Sequence, residues 1–168
     1  MNTKRVDVEV EVEDVNSLDE NKIELSVLDD IKGVLEEVLL DERVLNGKVL
    51  TNDDINKLIN DISVDVGVGS GTSYYHNNKS PFDEIEVRSH LVQCSVHYGK
   101  EFSKYNYEPL SSSEKDIIIN SVKEALYKQK VRPENIISFN MDEKELDENG
   151  NVVQSEEIKK KSTNKPKI

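Results

Sequence analysis

Valine and acid alternate near the start of the chain: Val6, Val8, Val10 and Val12 interleave with Asp7, Glu9, Glu11 and Glu13. A period of two predicts a strand with one apolar and one charged face. Four valines on one side need a cover. Such a strand either pairs with another chain or stays an extended arm until it does. Beyond residue 23 the period changes. Leu28, Ile31, Leu35 and Val38 step by threes and fours, widened by Val34 and Leu39, which predicts an amphipathic helix. Ser26 and Asp29 have capping-box spacing at its start, and Asn46-Gly47 marks its end. Thr51 and Asp54 repeat the start signal ahead of Ile55, Leu58, Ile59 and Ile62, a second and shorter stripe. Two such helices joined by a short turn are expected to pack as an antiparallel pair.

The helical pattern breaks over 63–80. Val64, Val66 and Val68 read as a short strand, and Gly67, Gly69, Gly71 and the polar run to Ser80 read as a mobile loop. From Pro81 to Lys104 two patterns compete. Val87, Leu91, Cys94 and Tyr98 fit a helical face, while Val92, Cys94, Val96 and Tyr98 fit a strand. Twenty residues without a turn signal are long for a strand, so helix is the expectation. Ser111 and Glu114 open a clearer helix through Ile118, Val122, Ala125 and Leu126, which Pro133 keeps from passing about Lys130. Ile136, Ile137 and Phe139 read as strand, and the turn at 148–151 lets Val152-Val153 return as a hairpin.

These patterns predict a mainly α protein with minor β (α+β). Helices near 27–45, 52–62, 83–104 and 113–130 form a small bundle, with β segments near 6–12, 64–68 and 136–153. Residues 1–22 are expected as an acidic N-terminal arm with one strand, 23–140 as the helical core domain, and 141–168 as a charged hairpin and flexible basic tail. Both ends are dominated by charge, and such stretches bury too little apolar surface to offset the entropy of ordering them.

Charge sharpens this picture. The net charge is -12, and residues 1–66 hold 18 acidic and 7 basic side chains, a net of -11. An acidic surface repels nucleic-acid phosphates and anionic lipid, so neither is expected as a direct partner. Cys94 is the one cysteine, which rules out an intramolecular disulfide and a cysteine-based zinc cluster. No apolar run is long enough for a bilayer, and the N-terminus has no signal-peptide stretch, so a cytoplasmic location is expected.

Candidate chemistry is sparse. The glycines at 67, 69 and 71 fail the phosphate-loop pattern, because no lysine follows until Lys79. His90, Cys94 and His97 resemble metal ligands in spacing. On a helix, however, His90 and His97 lie about 10 Å apart along the axis and cannot share an ion. The carboxylate pairs are explained by capping and solvation, and the segment 142–151 lacks the order of a calcium loop. No catalytic, cofactor-binding or metal-ligating residue is assigned, and no cofactor is implied. Seven of the nine aromatics lie between Tyr74 and Tyr107. Tyrosine buries area while keeping a polar tip, which suits interfaces. The partner-contact candidates are therefore Val6, Val8, Val10, Val12, Tyr74, Tyr75, His76, Tyr105 and Tyr107.

The expected role is a non-enzymatic structural or adaptor subunit of a larger assembly, either a homo-oligomer or part of a hetero-complex with other protein subunits. A head–tail or neck connector of a tailed-phage virion is the architectural analogy. The alternative is an acidic regulatory or inhibitory protein that engages a basic protein surface.

Overall fold

β1 (Thr3–Glu13) is the central strand of the molecule, not an arm. It pairs antiparallel with β5 (Glu84–Tyr98) on one side and β6 (Ile136–Leu146) on the other. Beyond β5 lies β4 (Ile62–His76), and beyond β6 lies the short β7 (Val152–Val153), giving the order β4-β5-β1-β6-β7. The computed structural model describes residues 2–76, 84–105 and 112–153. Its architecture overturns the mainly helical expectation: a five-stranded antiparallel sheet, curled into a half-barrel, organises the chain, and the helices pack on it.

The strands form where the period of two is strongest. Val6, Val8, Val10 and Val12 are fully buried on the core face of β1, each contributing about 1.5 kcal/mol or more. β5 resolves the competition between periods. Val92, Cys94, Val96 and Tyr98 all point into the core, whereas Leu91, needed for the helical stripe, is 40% exposed. The expected helix over 83–104 is thus a strand followed by one turn, α3 (Lys100–Ser103). β4 corrects the loop expected over 69–80 as far as His76. Ile62 and Val64 are buried and Val66 and Val68 pack against the core, while Gly67, Gly69 and Gly71 occupy the opposite face. Glycine spaced by two is here one face of a strand. The intrinsic cost of those glycines is met by pairing along the whole 15-residue length with β5.

The helices cover the valine face. α1 (Glu20–Glu42) buries Ile23, Val27, Ile31, Leu35 and Leu39, every fourth residue, and packs on β4 and on α4 (Ser112–Tyr127). It begins earlier than Ser26 because Asp19 caps it, accepting the Lys22 N–H at 3.2 Å. Val34 and Val38, expected in the buried stripe, stay 40% and 37% exposed. Asn46-Gly47 is not a helix stop but the turn of a small hairpin, β2 (Val44–Leu45) with β3 (Lys48–Val49). Both residues have positive φ, at 50° and 79°, as a tight hairpin turn of this kind requires. α2 (Asn52–Asn60) starts on the capping box of Thr51 and Asp54 and buries Ile55, Leu58 and Ile59.

The C-terminal hairpin has its return strand: Glu145 pairs Val153 and Leu146 pairs Val152. Ser111 of the expected capping box, the tip of the glycine-flanked loop at 77–83, and the basic tail from 154 onward lie outside the described residues. Among the described residues no helix is long and apolar enough to cross a membrane.

Candidate functional site

Alternation along β1 turns Arg5, Asp7, Glu9 and Glu11 to the face opposite the helices. Register then sets their neighbours. Asp7 lies between Ser95 and Asp142, Glu9 between Gln93 and Asn140, and Arg5 between His97 and Lys144. The result is a polar floor with a cavity of about 530 Å³ that Arg5, Asp7, Glu9, Ser95 and Lys144 help to line.

Asp7 is the hub. Arg5 donates from Nε to Oδ1 at 2.9 Å and from Nη2 to Oδ2 at 3.1 Å. Ser95 Oγ donates to Oδ1 at 2.8 Å, and Lys144 Nζ lies 2.9 Å from Oδ2. Burial alone raises the Asp7 carboxyl. The hydrogen bonds from Lys144, Ser95 and Arg5, with the charge of Arg5, outweigh it and hold the group below its ordinary value. One row further, Gln93 Nε2 donates to Glu9 Oε1 at 3.2 Å. Both oxygens of Asp7 are engaged, so the carboxylate is an anchor for its neighbours and a poor proton acceptor.

The cysteine and histidines separate instead of converging. Cys94 is buried on the core face, and burial pushes its thiol up to about 12. His90 shares that face at its rim, Nε2 donating to the Val15 carbonyl at 3.0 Å and Nδ1 meeting Ser70 Oγ at 2.9 Å. His97 is on the polar face, with Nε2 3.0 Å from Thr3 Oγ1. Strand geometry therefore splits the three residues between two sides of β5. Among the described residues no group of three or more metal-ligating side chains is brought together.

The partner-contact candidates have different fates. Val6, Val8, Val10 and Val12 are covered by the chain's own helices and offer no surface. Tyr105, next to α3, packs against the core, with Lys48 Nζ 5.7 Å from its ring centre and its carbonyl accepting from Asn46 Nδ2 at 2.7 Å. Tyr107 lies outside the described residues. Tyr74, Tyr75 and His76 occupy the last positions of β4, opposite Glu86, Ile85 and Glu84. They sit on a ribbon. β1 pairs with β5 only from Ser89 onward and the Asp14 N–H reaches the Arg88 carbonyl at 3.1 Å, so the four pairs from Ser73–Val87 to His76–Glu84 extend beyond the sheet body by about 13 Å.

Sequence reasoning misses the Asp7 cluster because it reads Asp7, Glu9, Glu11 and Glu13 only as the charged face of a strand whose neighbours are not known. The signal was Arg5 and Asp7 two residues apart, on one side of a strand that needed neighbours. No family model matches this chain, and neither does any curated protein.

Proposed function

We propose that this chain is a non-enzymatic structural or adaptor subunit of a larger protein assembly, holding a partner through the projecting β4–β5 ribbon. The ribbon is the observation that carries the reading. Among the described residues no strand pairs with the outer side of β4 there or with β5 beyond the Asp14 N–H on the Arg88 carbonyl, and the ribbon bears Tyr74, Tyr75 and His76 near its end. The chemistry of the remaining groups supports a binding role. Asp7 is saturated, the Cys94 thiol is kept protonated, and His90 and His97 stand on opposite faces of a strand.

Affinity purification of the full chain from its native source, read by mass spectrometry, tests this. A fixed stoichiometric set of protein subunits is expected, and it should be lost when residues 73–87 are replaced by a short Asn-Gly turn. Subunits that remain bound to the shortened protein would exclude the ribbon as the contact.

A second reading is favoured by α1. It carries eight acids and two lysines, none of them buried, along one helix. Such a face suits a basic protein surface. Binding that weakens steeply with salt and survives removal of the ribbon would select this reading.

A further inference from the structure

We propose that the outer edge of β4, from Ser70 to His76, is a seam at which a second copy of this chain adds antiparallel about a two-fold axis. The inference rests on the assembly reading above and specifies its first interface. Glu20 reveals which backbone groups face outward. Its Oε1 accepts the Val68 N–H at 2.8 Å, so the Val68 N–H points away from β5. In an antiparallel ladder this direction alternates, and Ser70, Thr72, Tyr74 and His76 therefore present N–H and C=O to the same open side.

The two edges of the sheet are treated differently. β6 carries four consecutive charged residues, Asp142, Glu143, Lys144 and Glu145, and β7 covers one of its ends. Charge on an edge strand discourages further pairing. In β4 the one Asp, Glu, Lys or Arg is Asp65, although 33% of the whole chain is charged. From Val66 to His76 there is none, and there is no proline. Among the described residues one edge is guarded by charge and the other, past the Glu20 contact at Val68, has no strand paired to it.

Charge also selects the occupant. Two copies at -12 each repel, and they meet most closely along β4 from Val66 to His76, which has no Asp, Glu, Lys or Arg, with Glu84 and Glu86 set one strand behind it on β5. A basic partner would gain nothing from this strip and would settle on the acids of α1. A strand paired with itself about a two-fold axis needs no second sequence to match. Glu20 supplies the register. It closes the edge at Val68 in both copies, leaving Ser70 of one copy to face His76 of the other and Thr72 to face Tyr74, with Ser73 at the axis. Two ribbons, each too narrow to be stable alone, become one four-stranded sheet.

Sedimentation velocity of the full chain over micromolar to millimolar concentrations tests the seam, with amide exchange as the site-specific readout. A reversible dimer is expected, with the Ser70, Thr72, Tyr74 and His76 amides slowing as it forms. Raised salt should tighten it by screening like charges, the opposite of an association with a basic partner. Thr72→Pro removes an outward N–H and no β4–β5 ladder bond, and should weaken the dimer at least about 30-fold. Thr72→Glu keeps every N–H but sets two new acids beside the axis, and should weaken it in a salt-reversible way. A wild-type monomer at every concentration, a dimer indifferent to both variants, or seam amides that exchange freely in the dimer would each overturn the proposal. A monomer that still captures other subunits removes the seam and spares the adaptor reading. A seam dimer with no other partner does the reverse.

Discussion

Arg5 grips Asp7 from two residues away on the same strand, presenting Nε and Nη2 to the two carboxylate oxygens at 2.9 and 3.1 Å. Parallel donation of this kind fixes both side chains flat on the polar face of β1. Ser95 and Lys144 then bind the same carboxylate from the two neighbouring strands. A single acid thus ties three strands on the face that no helix covers. Asp7→Asn should cost about 1 kcal/mol at neutral pH, a modest figure because Arg5 and Lys144 keep some access to water. The pH dependence follows from the lowered pKa. The contribution is complete above the unfolded carboxyl value, near 3.8, and is lost as pH falls through the lower folded value. Urea denaturation of both proteins should therefore show a gap at pH 7 that narrows below about pH 4. An equal gap at both pH values would rule out the ionised hub.

Gly99 touches Asp61. The Gly99 N–H donates to the Asp61 carbonyl at 3.2 Å, and Asp61 Oδ2 accepts the Glu101 N–H at 2.8 Å at the start of α3. A Cβ on Gly99 would fall inside contact distance of the Asp61 carboxylate. Gly99→Ala should destabilise the protein by about 1–3 kcal/mol. Asp61→Gly should cost less in the Gly99→Ala background than in the wild type, because removing the carboxylate also removes the clash. A double-mutant cycle on urea midpoints measures that coupling, and strict additivity would show that the approach is not tight.

Cys94 should be chemically silent. Its thiol is buried in the core, and burial pushes it up to about 12 from the ordinary 9.0. Thiolate is the reactive form, so native protein at pH 8 should resist alkylation and react at the rate of global unfolding. The sign of the alkaline effect is also set. Unfolded chain loses the proton from about pH 9 upward while the folded chain keeps it, so stability contributed by Cys94 falls between about 9 and about 12. Cys94→Ala should flatten that alkaline loss. Stoichiometric alkylation within seconds under native conditions would contradict the burial.

Local signals of turn and cap were readable where they needed only neighbouring residues. The Thr51 and Asp54 box opens α2, and the turn before Val152 closes the last hairpin. The sheet was not readable, for three separate reasons. Valines alternating with acids announced a strand in β1 but not its neighbours, since β5 and β6 lie about 85 and 135 residues away along the chain. Cys94 and Tyr98 belong equally to a period of two and to a helical stripe, and only the exposure of Leu91 separates the two patterns. Glycines at 67, 69 and 71 signal a loop to any local reading, because their shared face is visible only once β4 is paired. The Asp7 cluster inherits the first difficulty. Its donors come from three strands, and two of those strands were expected as a helix and an arm.

The central place of β1 makes the sharpest demand on experiment. Val8 pairs in register with Cys94 on one side and Met141 on the other and is fully buried. Removing its two methyl groups leaves a gap that flanking strands cannot close without breaking ladder bonds. Val8→Ala should cost about 2–3 kcal/mol, while Glu11→Ala, three residues on and on the polar face, should stay within about 0.5 kcal/mol. Val8→Asp should prevent folding, because an unpaired carboxylate in that layer has no partner. Amide exchange gives the independent check. The β1 amides should be among the slowest in the chain, opening only with global unfolding, and those of the Ser73–His76 ribbon in dilute monomer among the fastest in the sheet. An N-terminal strand that exchanges within minutes while α1 stays protected would show that β1 is an arm laid on the fold, and the half-barrel would have to be redrawn without its middle strand.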